Sequence, residues 1–262
     1  MLKINRYVRA QSLEEAYTLY QKKGSIVLGG MLWLKLQNRT VGTAIDLCEL
    51  GLDRVEETED EFRIGAMVSL RTLETHEGLN ALTQGAMKEC LSPIIGVQFR
   101  NLATIGGSIS GRFGFSDPLT LFLALGARLE FYNQGVVSLE QWLASPAERD
   151  ILVRVILPKG GLQAAYRSMR NTATDFPVLT CAVCRRNGTL ACAVGARPAS
   201  AVLVCDEEDL LGQGITEESA ATFGTYAAER LQFGSNNRGS AEYRRKICSV
   251  LVRRALLSMK EG

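Results

Sequence analysis

The feature that most limits the possible folds is a short apolar segment that ends in two glycines. Residues 26–28 form a predicted buried strand, Gly29 and Gly30 follow directly, and a helix-like segment continues to residue 36. Glycines between a strand and a helix let the backbone approach a ligand closely, and a helix start offers free N–H donors to an anion. Since a Gly-Gly pair is more often only a tight turn, this segment alone predicts a phosphate site weakly.

A second glycine-rich segment, predicted as a loop, covers residues 101–116. Small and hydroxylated residues lie between Thr104 and Ser110, among them Gly106 and Gly107. They offer backbone donors and hydroxyl groups without side-chain bulk, which suits a flat, extended, negatively charged ligand. Neither segment is a P-loop, because no Gly-Lys-Ser/Thr follows. The glycine spacing also differs from the dinucleotide fingerprint of doubly wound folds.

The residue pattern changes twice along the chain and predicts three parts. Residues 1–54 alternate helix and short strands, and their first helix begins after Ser12, with Glu15 placed to complete a capping box. Residues 55–160 combine strands with helical segments near 69–74, 79–90 and 117–125. Residues 161–262 contain meander strands, with a turn at Asn187-Gly188, and then two helices near 216–231 and 240–259. Strands followed by helices indicate an α+β domain.

Composition excludes several classes of protein. Net charge is only +2, apolar residues make up 46%, and no basic stripe indicates a nucleic acid or an acidic membrane as partner. Every apolar run is shorter than the ~20 residues of a membrane-spanning helix, and the first residues do not open a signal peptide. We therefore expect a cytoplasmic protein with reduced thiols. Its seven cysteines are predicted to be small buried residues rather than a disulfide framework.

Three further features are interpreted as structural. Cys181 and Cys184 have CxxC spacing, but they lie on a predicted strand, where residues three apart point to opposite faces. His76, the only histidine, lies at a predicted exposed helix end. The arginines of the last helix, Arg244 among them, are predicted to form a solvated face or a subunit contact. The sequence therefore predicts no metal site and no catalytic base.

Four segments, in order along the chain, resemble the flavoproteins of the xanthine dehydrogenase and carbon monoxide dehydrogenase family. Residues 100–107, with Ser116-Asp117 and residues 123–127, closely resemble the family's second flavin-binding loop, and Leu28-Gly29-Gly30 occupies the place of its first. The other two matches open and close the C-terminal domain: residues 166–170 with Asp175, and residues 239–245 continuing to 255. Together the matches cover almost the whole chain.

The resemblance implies an α+β chain with a vanillyl-alcohol-oxidase-type FAD-binding fold. Two α/β subdomains, residues 1–54 and 55–160, would bind FAD, and residues 161–262 would form a C-terminal α+β domain with an antiparallel sheet and helices. The implied contacts begin with the FAD pyrophosphate, held by Val27, Leu28, Gly29, Gly30, Met31 and Leu32. The phosphate and adenine side would meet Thr104, Ile105, Gly106, Gly107 and Ser108.

Three further contacts are implied near the flavin. Asp117 would hydrogen-bond the ribityl or flavin region, Leu152 would pack on the isoalloxazine, and Arg167 would lie near its pyrimidine edge. A cation there is chemically reasonable, because reduced flavin carries negative charge. Met31 and Leu32 stand where the family often has a Thr followed by an acidic residue, which favours contact with FAD through the backbone.

By this resemblance the chain is the FAD subunit of a molybdenum hydroxylase. It would accept electrons from the [2Fe-2S] clusters of a partner subunit and pass them to NAD+ or another acceptor. A molybdopterin subunit would hydroxylate the substrate. Two alternatives stay open. One is a non-catalytic assembly subunit that has lost FAD, which the Met31-Leu32 pair favours. The other is a self-sufficient FAD oxidase, disfavoured because the chain has no sizeable substrate domain.

Overall fold

The structure, a computed structural model, describes residues 1–186 and 188–260. Asn187 of the predicted turn lies outside the described residues. The strands are β1 Lys3–Arg9, β2 Ser25–Leu28, β3 Thr40–Asp46, β4 Val55–Glu57, β5 Glu61–Gly65, β6 Arg128–Phe131, β7 Gly135–Ser138, β8 Leu152–Pro158, β9 Gln163–Arg170, β10 Pro177–Arg186, β11 Thr189–Gly195 and β12 Val202–Cys205.

The helices are α1 Leu13–Gln21, α2 Leu70–Thr75, α3 Glu77–Leu82, α4 Ala86–Leu91, α5 Val97–Leu102, α6 Ile105–Ser110, α7 Asp117–Ala124, α8 Leu139–Ala144, α9 Glu217–Arg230 and α10 Ala241–Lys260. A 3₁₀ turn covers Leu34–Leu36. The chain divides into two compact units. Unit 1 contains residues 1–72, 97–111 and 127–158, and unit 2 contains residues 73–96, 112–126 and 159–262.

Unit 1 contains two sheets. A parallel sheet has the order β1-β3-β2, and an antiparallel sheet has the order β4-β5-β8-β6-β7. Ala16 and Leu19 of α1 pack with Ile45 of β3 and Val153 of β8 in one apolar cluster. The cluster connects the two sheets, because Val153 belongs to the antiparallel sheet and Ile45 to the parallel one.

Unit 2 is built on a four-stranded antiparallel meander in the order β12-β11-β10-β9. Helices α9 and α10 cover it through a core that includes Phe223, Val252 and Leu256. Helix α7 packs against β10 and β11, and all eight of its residues are buried. Strands of a meander beneath helices confirm the α+β character predicted for the C-terminal part.

The helix caps confirm the predicted start of α1 after Ser12, but not the capping box predicted for Glu15. The Ser12 side chain accepts a hydrogen bond from the Glu15 N–H at 3.1 Å and begins α1. The Glu15 carboxylate reaches back to the N–H of Gln11 at 2.9 Å, one residue before the expected partner. Helix α9 begins with a complete capping box between Thr216 and Ser219. Such caps satisfy the first N–H groups of a helix.

Several predicted elements differ from the observed ones. Residues 31–36 form only the short 3₁₀ turn, because Met31 has a left-handed φ of 59°. The helix predicted over 79–90 is two helices, separated where Gly85 has a φ of 82°. The predicted loop at 101–116 contains α6. Strand β1, which the sequence analysis missed, pairs in parallel with β3 from Lys3 onward.

Two side-chain predictions need correction. Cys48 and Cys205 are exposed, whereas the other five cysteines are buried, and all seven are free thiols. Arg244 is 1% exposed and donates hydrogen bonds to the carbonyl oxygens of Val178, Gly234 and Gly239. Those carbonyls need donors, so this arginine is a structural crosslink rather than part of a solvated face.

Among residues 1–186 and 188–260, no helix is both long and apolar enough to span a membrane.

Candidate functional site

The first loop, residues 29–32, follows the end of β2 in unit 1. Leu28 is buried and pairs with Asp46 of β3, while Gly29, Gly30, Met31 and Leu32 are half-buried. Met31 adopts the left-handed conformation, which is costly for a side chain of this size. Backbone strain of this kind is concentrated at ligand sites, and here it lies at the position the sequence indicates.

The N–H groups of the first loop are uncommitted. Within the part of the chain that the structure describes, no acceptor takes a hydrogen bond from the N–H of Gly29, Gly30, Met31 or Leu32. Consecutive backbone donors that lack internal partners form a binding place for an anion. The first loop therefore has the donors that a phosphate group requires.

The first loop lies directly against the second, which is residues 102–108. A Cβ added to Gly30 would be 1.9 Å from the carbonyl oxygen of Leu102, and one added to Gly29 would be 2.7 Å from Thr104 Oγ1. Both distances are shorter than any real Cβ contact. Only glycine therefore permits the two backbones to come this close. The two glycine-rich segments singled out in the sequence are in contact in the structure.

The second loop uses its own N–H groups internally, which differs from the expectation that it supplies backbone donors. Ile105 and Gly106 donate to the carbonyl oxygens of Val68 and Ala66, at 2.9 and 2.8 Å. Gly107 N–H donates to Thr104 Oγ1 at 3.1 Å, and Ser108 N–H donates to the Thr104 carbonyl at 3.0 Å. These bonds build helix α6 and leave Gly107 as an exposed, side-chain-free surface.

Thr104 is the residue of the second loop that keeps donors available. Its Oγ1 accepts from Gly107, which leaves the hydroxyl hydrogen without an acceptor in the described ranges 1–186 and 188–260. The N–H of Thr104 likewise has no acceptor there. Because its hydroxyl adjoins Gly29, Thr104 extends the row of donors that begins in the first loop.

Leu152 also belongs to unit 1. It is 6% exposed at the start of β8, opposite Phe131, where the pairing of β6 and β8 shifts register. Helix α6 packs against β8. The structure therefore brings the strand that carries Leu152 to the helix of the second loop.

Asp117 lies in unit 2 at the start of α7, where Ser116 caps the helix. Its side chain is 6% exposed and forms an ion pair with Arg170. Tyr166 donates its hydroxyl to the same oxygen, Asp117 Oδ1, at 2.5 Å. Burial raises the pKa of Asp117 to about 6, although the Arg170 charge and the Tyr166 hydrogen bond oppose this rise.

Arg167, also in unit 2, is half-buried on β9. Its Nη1 donates to the carboxylate of Glu89 on α4 and to the Tyr166 carbonyl, at 2.6 and 2.7 Å. Its Nε and Nη2 have no acceptor among the residues described. The guanidinium thus keeps two donor atoms for a further partner.

The sequence analysis assigned no role to Tyr166 and Arg170. Both lie on β9, and residues an even number apart on a strand share one face. That spacing was visible in the segment that resembles the family. What the sequence lacked was the position of Asp117, which reaches this face through the fold.

Comparison with known proteins identifies the family. Residues 2–160 match the family model described as the FAD binding domain in molybdopterin dehydrogenase. Residues 164–259 match the carbon monoxide dehydrogenase flavoprotein C-terminal domain. The chain belongs to this flavoprotein family. Its cofactor is FAD, and the resemblance stated from the sequence is confirmed.

Relatives match this flavoprotein over nearly its whole length. The Escherichia coli (strain K12) protein YgfM is 31% identical over 95% of this chain and 94% of its own. The nicotine 6-hydroxylase medium subunit of Paenarthrobacter nicotinovorans is 28% identical over 96% of both chains.

Among solved structures, a chain of quinoline 2-oxidoreductase from Pseudomonas putida 86 superimposes with a TM-score of 0.87 at 21% identity. The match covers 100% of this chain and 98% of the other. It confirms the predicted α+β fold class, with its antiparallel sheets and helices.

The residues present fit the FAD of this family. FAD carries an anionic pyrophosphate, and the first loop together with Thr104 offers uncommitted N–H and hydroxyl donors. The exposed backbone of Gly107 leaves room for a ligand to approach. These are requirements for binding the pyrophosphate of a dinucleotide.

A first prediction concerns Gly30. In Gly30→Ala the added methyl group must displace the Leu102 carbonyl. We expect the free energy of unfolding to fall by about 2 kcal/mol. We also expect the variant to retain less FAD. Gly107→Ala is the matched control for folding, since its methyl would meet only Thr104 Oγ1, at 3.2 Å. Chemical denaturation and the retained flavin absorbance measure both effects. Unchanged stability in Gly30→Ala would contradict the close contact of the loops.

A second prediction concerns Asp117. Because its pKa is raised on folding, the folded protein binds more protons than the unfolded one between about pH 4 and pH 6. Ionisation of Asp117 therefore lowers stability as pH rises through this range, by at most about 3 kcal/mol. We expect the stability advantage of the wild type over Asp117→Asn to shrink between pH 4.5 and 7.5, as measured by urea unfolding. An advantage that grows with pH would contradict the raised pKa.

Proposed function

We propose that this chain is the FAD-carrying electron-transfer subunit of a molybdenum hydroxylase complex. The observation that carries the proposal is the row of uncommitted donors in the first loop beside Thr104, in a chain of this flavoprotein family. Bound FAD supplies the electron-carrying group. The protein contributes binding, orientation and electrostatics.

The residues divide the binding of FAD among them. The first loop would hold the pyrophosphate through the N–H groups of Gly29, Gly30, Met31 and Leu32, beside Val27 and Leu28 at the end of β2. Residues Thr104 to Ser108 of the second loop would border the phosphate and adenine side. Leu152 would pack on the flavin ring. Asp117 would accept a hydrogen bond from the ribityl or flavin region. Arg167 would place its remaining N–H donors at the pyrimidine edge, where they would stabilise the negative charge of reduced flavin.

The names of two relatives support the proposed partners. The nicotine 6-hydroxylase relative is named a medium subunit, and a 25% identical relative from Afipia carboxidovorans is named a carbon monoxide dehydrogenase medium chain. We propose that this chain likewise joins a [2Fe-2S] subunit, which donates electrons to it, and a molybdopterin subunit, which hydroxylates the substrate. The acceptor would be NAD+ or another oxidant. A cytoplasmic location and the three-part division at residues 54 and 160 stay predictions.

A third prediction tests the pyrophosphate site. FAD and riboflavin share the flavin ring and the ribityl chain, but only FAD carries the pyrophosphate. We expect the purified chain to retain added FAD after desalting, with flavin absorption bands, and not to retain riboflavin. Equal retention of both would exclude the first loop as the site. A colourless chain, alone and with its partner subunits, would instead favour an assembly subunit that has lost FAD.

The same assay tests Thr104. Thr104→Val keeps the side-chain shape but removes the hydroxyl, so it should weaken FAD binding about tenfold. The control is Ser138→Ala, which removes the comparable N-cap of α8 in the same unit. Both changes remove a helix N-cap, so both should lower stability by a similar amount. Only Thr104→Val should also weaken FAD binding.

A fourth prediction tests the acceptor. If NAD+ takes electrons from this flavin, NADH must be able to return them, because the exchange is reversible. We expect anaerobic NADH to bleach the flavin absorption of the FAD-loaded complex. Dithionite, which reduces free and bound flavin alike, is the positive control. Bleaching by dithionite without bleaching by NADH would exclude NAD+ and leave another acceptor.

A further inference from the structure

The carboxylate of Asp117 is held on one side only. Both described donors, the Tyr166 hydroxyl and Arg170 Nη2, bond to Oδ1. The other oxygen, Oδ2, accepts no hydrogen bond from the residues described. The side chain is 6% exposed, and since Oδ2 is not a fully buried atom, this small exposed surface leaves it open to a further donor. A carboxylate oxygen that is left open while its partner oxygen is held can accept a hydrogen bond from a ligand.

Arg170 is itself fixed in place. Its Nη1 donates to the Asp175 carbonyl at 2.5 Å, and its Nε donates to Ser168 Oγ at 3.3 Å. With Nη2 on Asp117, all three nitrogens of the guanidinium have partners. The side chain is 8% exposed and cannot turn without losing several bonds. A guanidinium held this firmly sets the direction of the carboxylate that it binds.

Tyr166 supports the same oxygen from a second direction. It is 0% exposed, and its hydroxyl has Asp117 as its partner at 2.5 Å. Burial, and after it the charge of Asp117, raises the pKa of Tyr166 well above its ordinary value, so the phenol stays protonated and remains a donor. Two donors on Oδ1 fix the orientation of the carboxylate plane more closely than one would.

We propose that Arg170 and Tyr166 are positioning residues, which hold Oδ1 of Asp117 so that Oδ2 is presented to a hydrogen-bond donor of FAD. The inference rests on the proposed function, since it takes Asp117 as a contact of FAD. The ribityl chain offers hydroxyl donors, and a charge-assisted bond to a carboxylate is about twice as strong as a neutral one. Neither positioning residue need touch FAD.

The proposal has a consequence for pH. The groups that face Asp117 are Arg170 and Tyr166 on β9 and the buried thiol of Cys90 on α4. Burial raises the pKa of Cys90 well above its ordinary value, so it stays neutral. Arg170 is therefore the cation that keeps the carboxylate ionised. Without it, the pKa of Asp117 must rise further, so a larger fraction of Asp117 is protonated at neutral pH.

The fifth prediction is a titration of the 262-residue chain with FAD from pH 5 to pH 8, in which the quenching of flavin fluorescence measures binding. Wild-type affinity should decrease as pH falls through about 6, where Asp117 gains its proton. Arg170→Gln should bind FAD about tenfold more weakly at pH 7, with the midpoint of its pH profile moved upward. Arg170→Lys should restore part of the shift, and Tyr166→Phe should weaken binding less than Arg170→Gln.

Two controls separate positioning from folding. Arg253→Gln removes an exposed ion pair with Glu217 in the same unit, and Tyr226→Phe removes the hydroxyl of another buried tyrosine. Neither should move the affinity or the midpoint. Thermal unfolding shows whether each variant is folded. If Arg170→Gln does not fold, Tyr166→Phe and Arg170→Lys carry the test.

The outcomes are distinct. If the wild type binds no FAD, the proposed function fails, and this inference fails with it. Suppose that the wild type binds FAD and that Arg170→Gln lowers the FAD affinity by the same factor at every pH. Arg170 is then only structural, and this inference is overturned while the proposed function stands. The same holds if Asp117→Asn binds FAD as tightly as the wild type. An upward shift of the midpoint in Arg170→Gln, partly reversed in Arg170→Lys, supports positioning.

Discussion

Contact between the backbone of Gly30 and the carbonyl of Leu102 is the constraint on which the site depends. It places two segments that are far apart in the sequence side by side in unit 1, and it leaves no room for a Cβ. The second loop is rigid because its N–H groups are bonded to Val68, Ala66 and Thr104. The first loop lies against the second, and its own N–H groups have no acceptor among the described residues. This arrangement of the two loops supports the proposed anion site.

The features that the sequence could predict are those specified by neighbouring residues. A strand followed by Gly29 and Gly30 indicates a close backbone approach because glycine alone permits it. Ser12 begins α1 because its side chain meets the N–H of Glu15 within one helical turn. The resemblance to the family added the fold class and the cofactor. The structural superposition confirms the fold class, and the family model confirms the cofactor. Neighbouring residues were sufficient to predict the loop contact and the start of α1, and the order of the motifs was sufficient to predict the fold class and the cofactor.

The features that the sequence could not predict depend on distant partners. Helix α6 contains Gly106 and Gly107, which are poor helix formers, and it exists because Thr104 caps it and Ala66 and Val68 accept its first N–H groups. Arg244 was assigned to a solvated face by helical spacing. It is buried because carbonyls from other segments need donors. The role of each residue at the candidate site, including Asp117 and Arg167, stays a prediction until ligand binding is measured.

Amide hydrogen exchange with and without FAD tests the central claim most directly. The N–H groups of Gly29, Gly30, Met31 and Leu32 have no acceptors in the described residues, so they should exchange rapidly in the free chain and slow strongly when FAD binds. The N–H groups from Ile105 to Ser108 are already bonded and should change much less. Protection confined to the first loop would support the pyrophosphate site. Bound FAD with no protection there would contradict it.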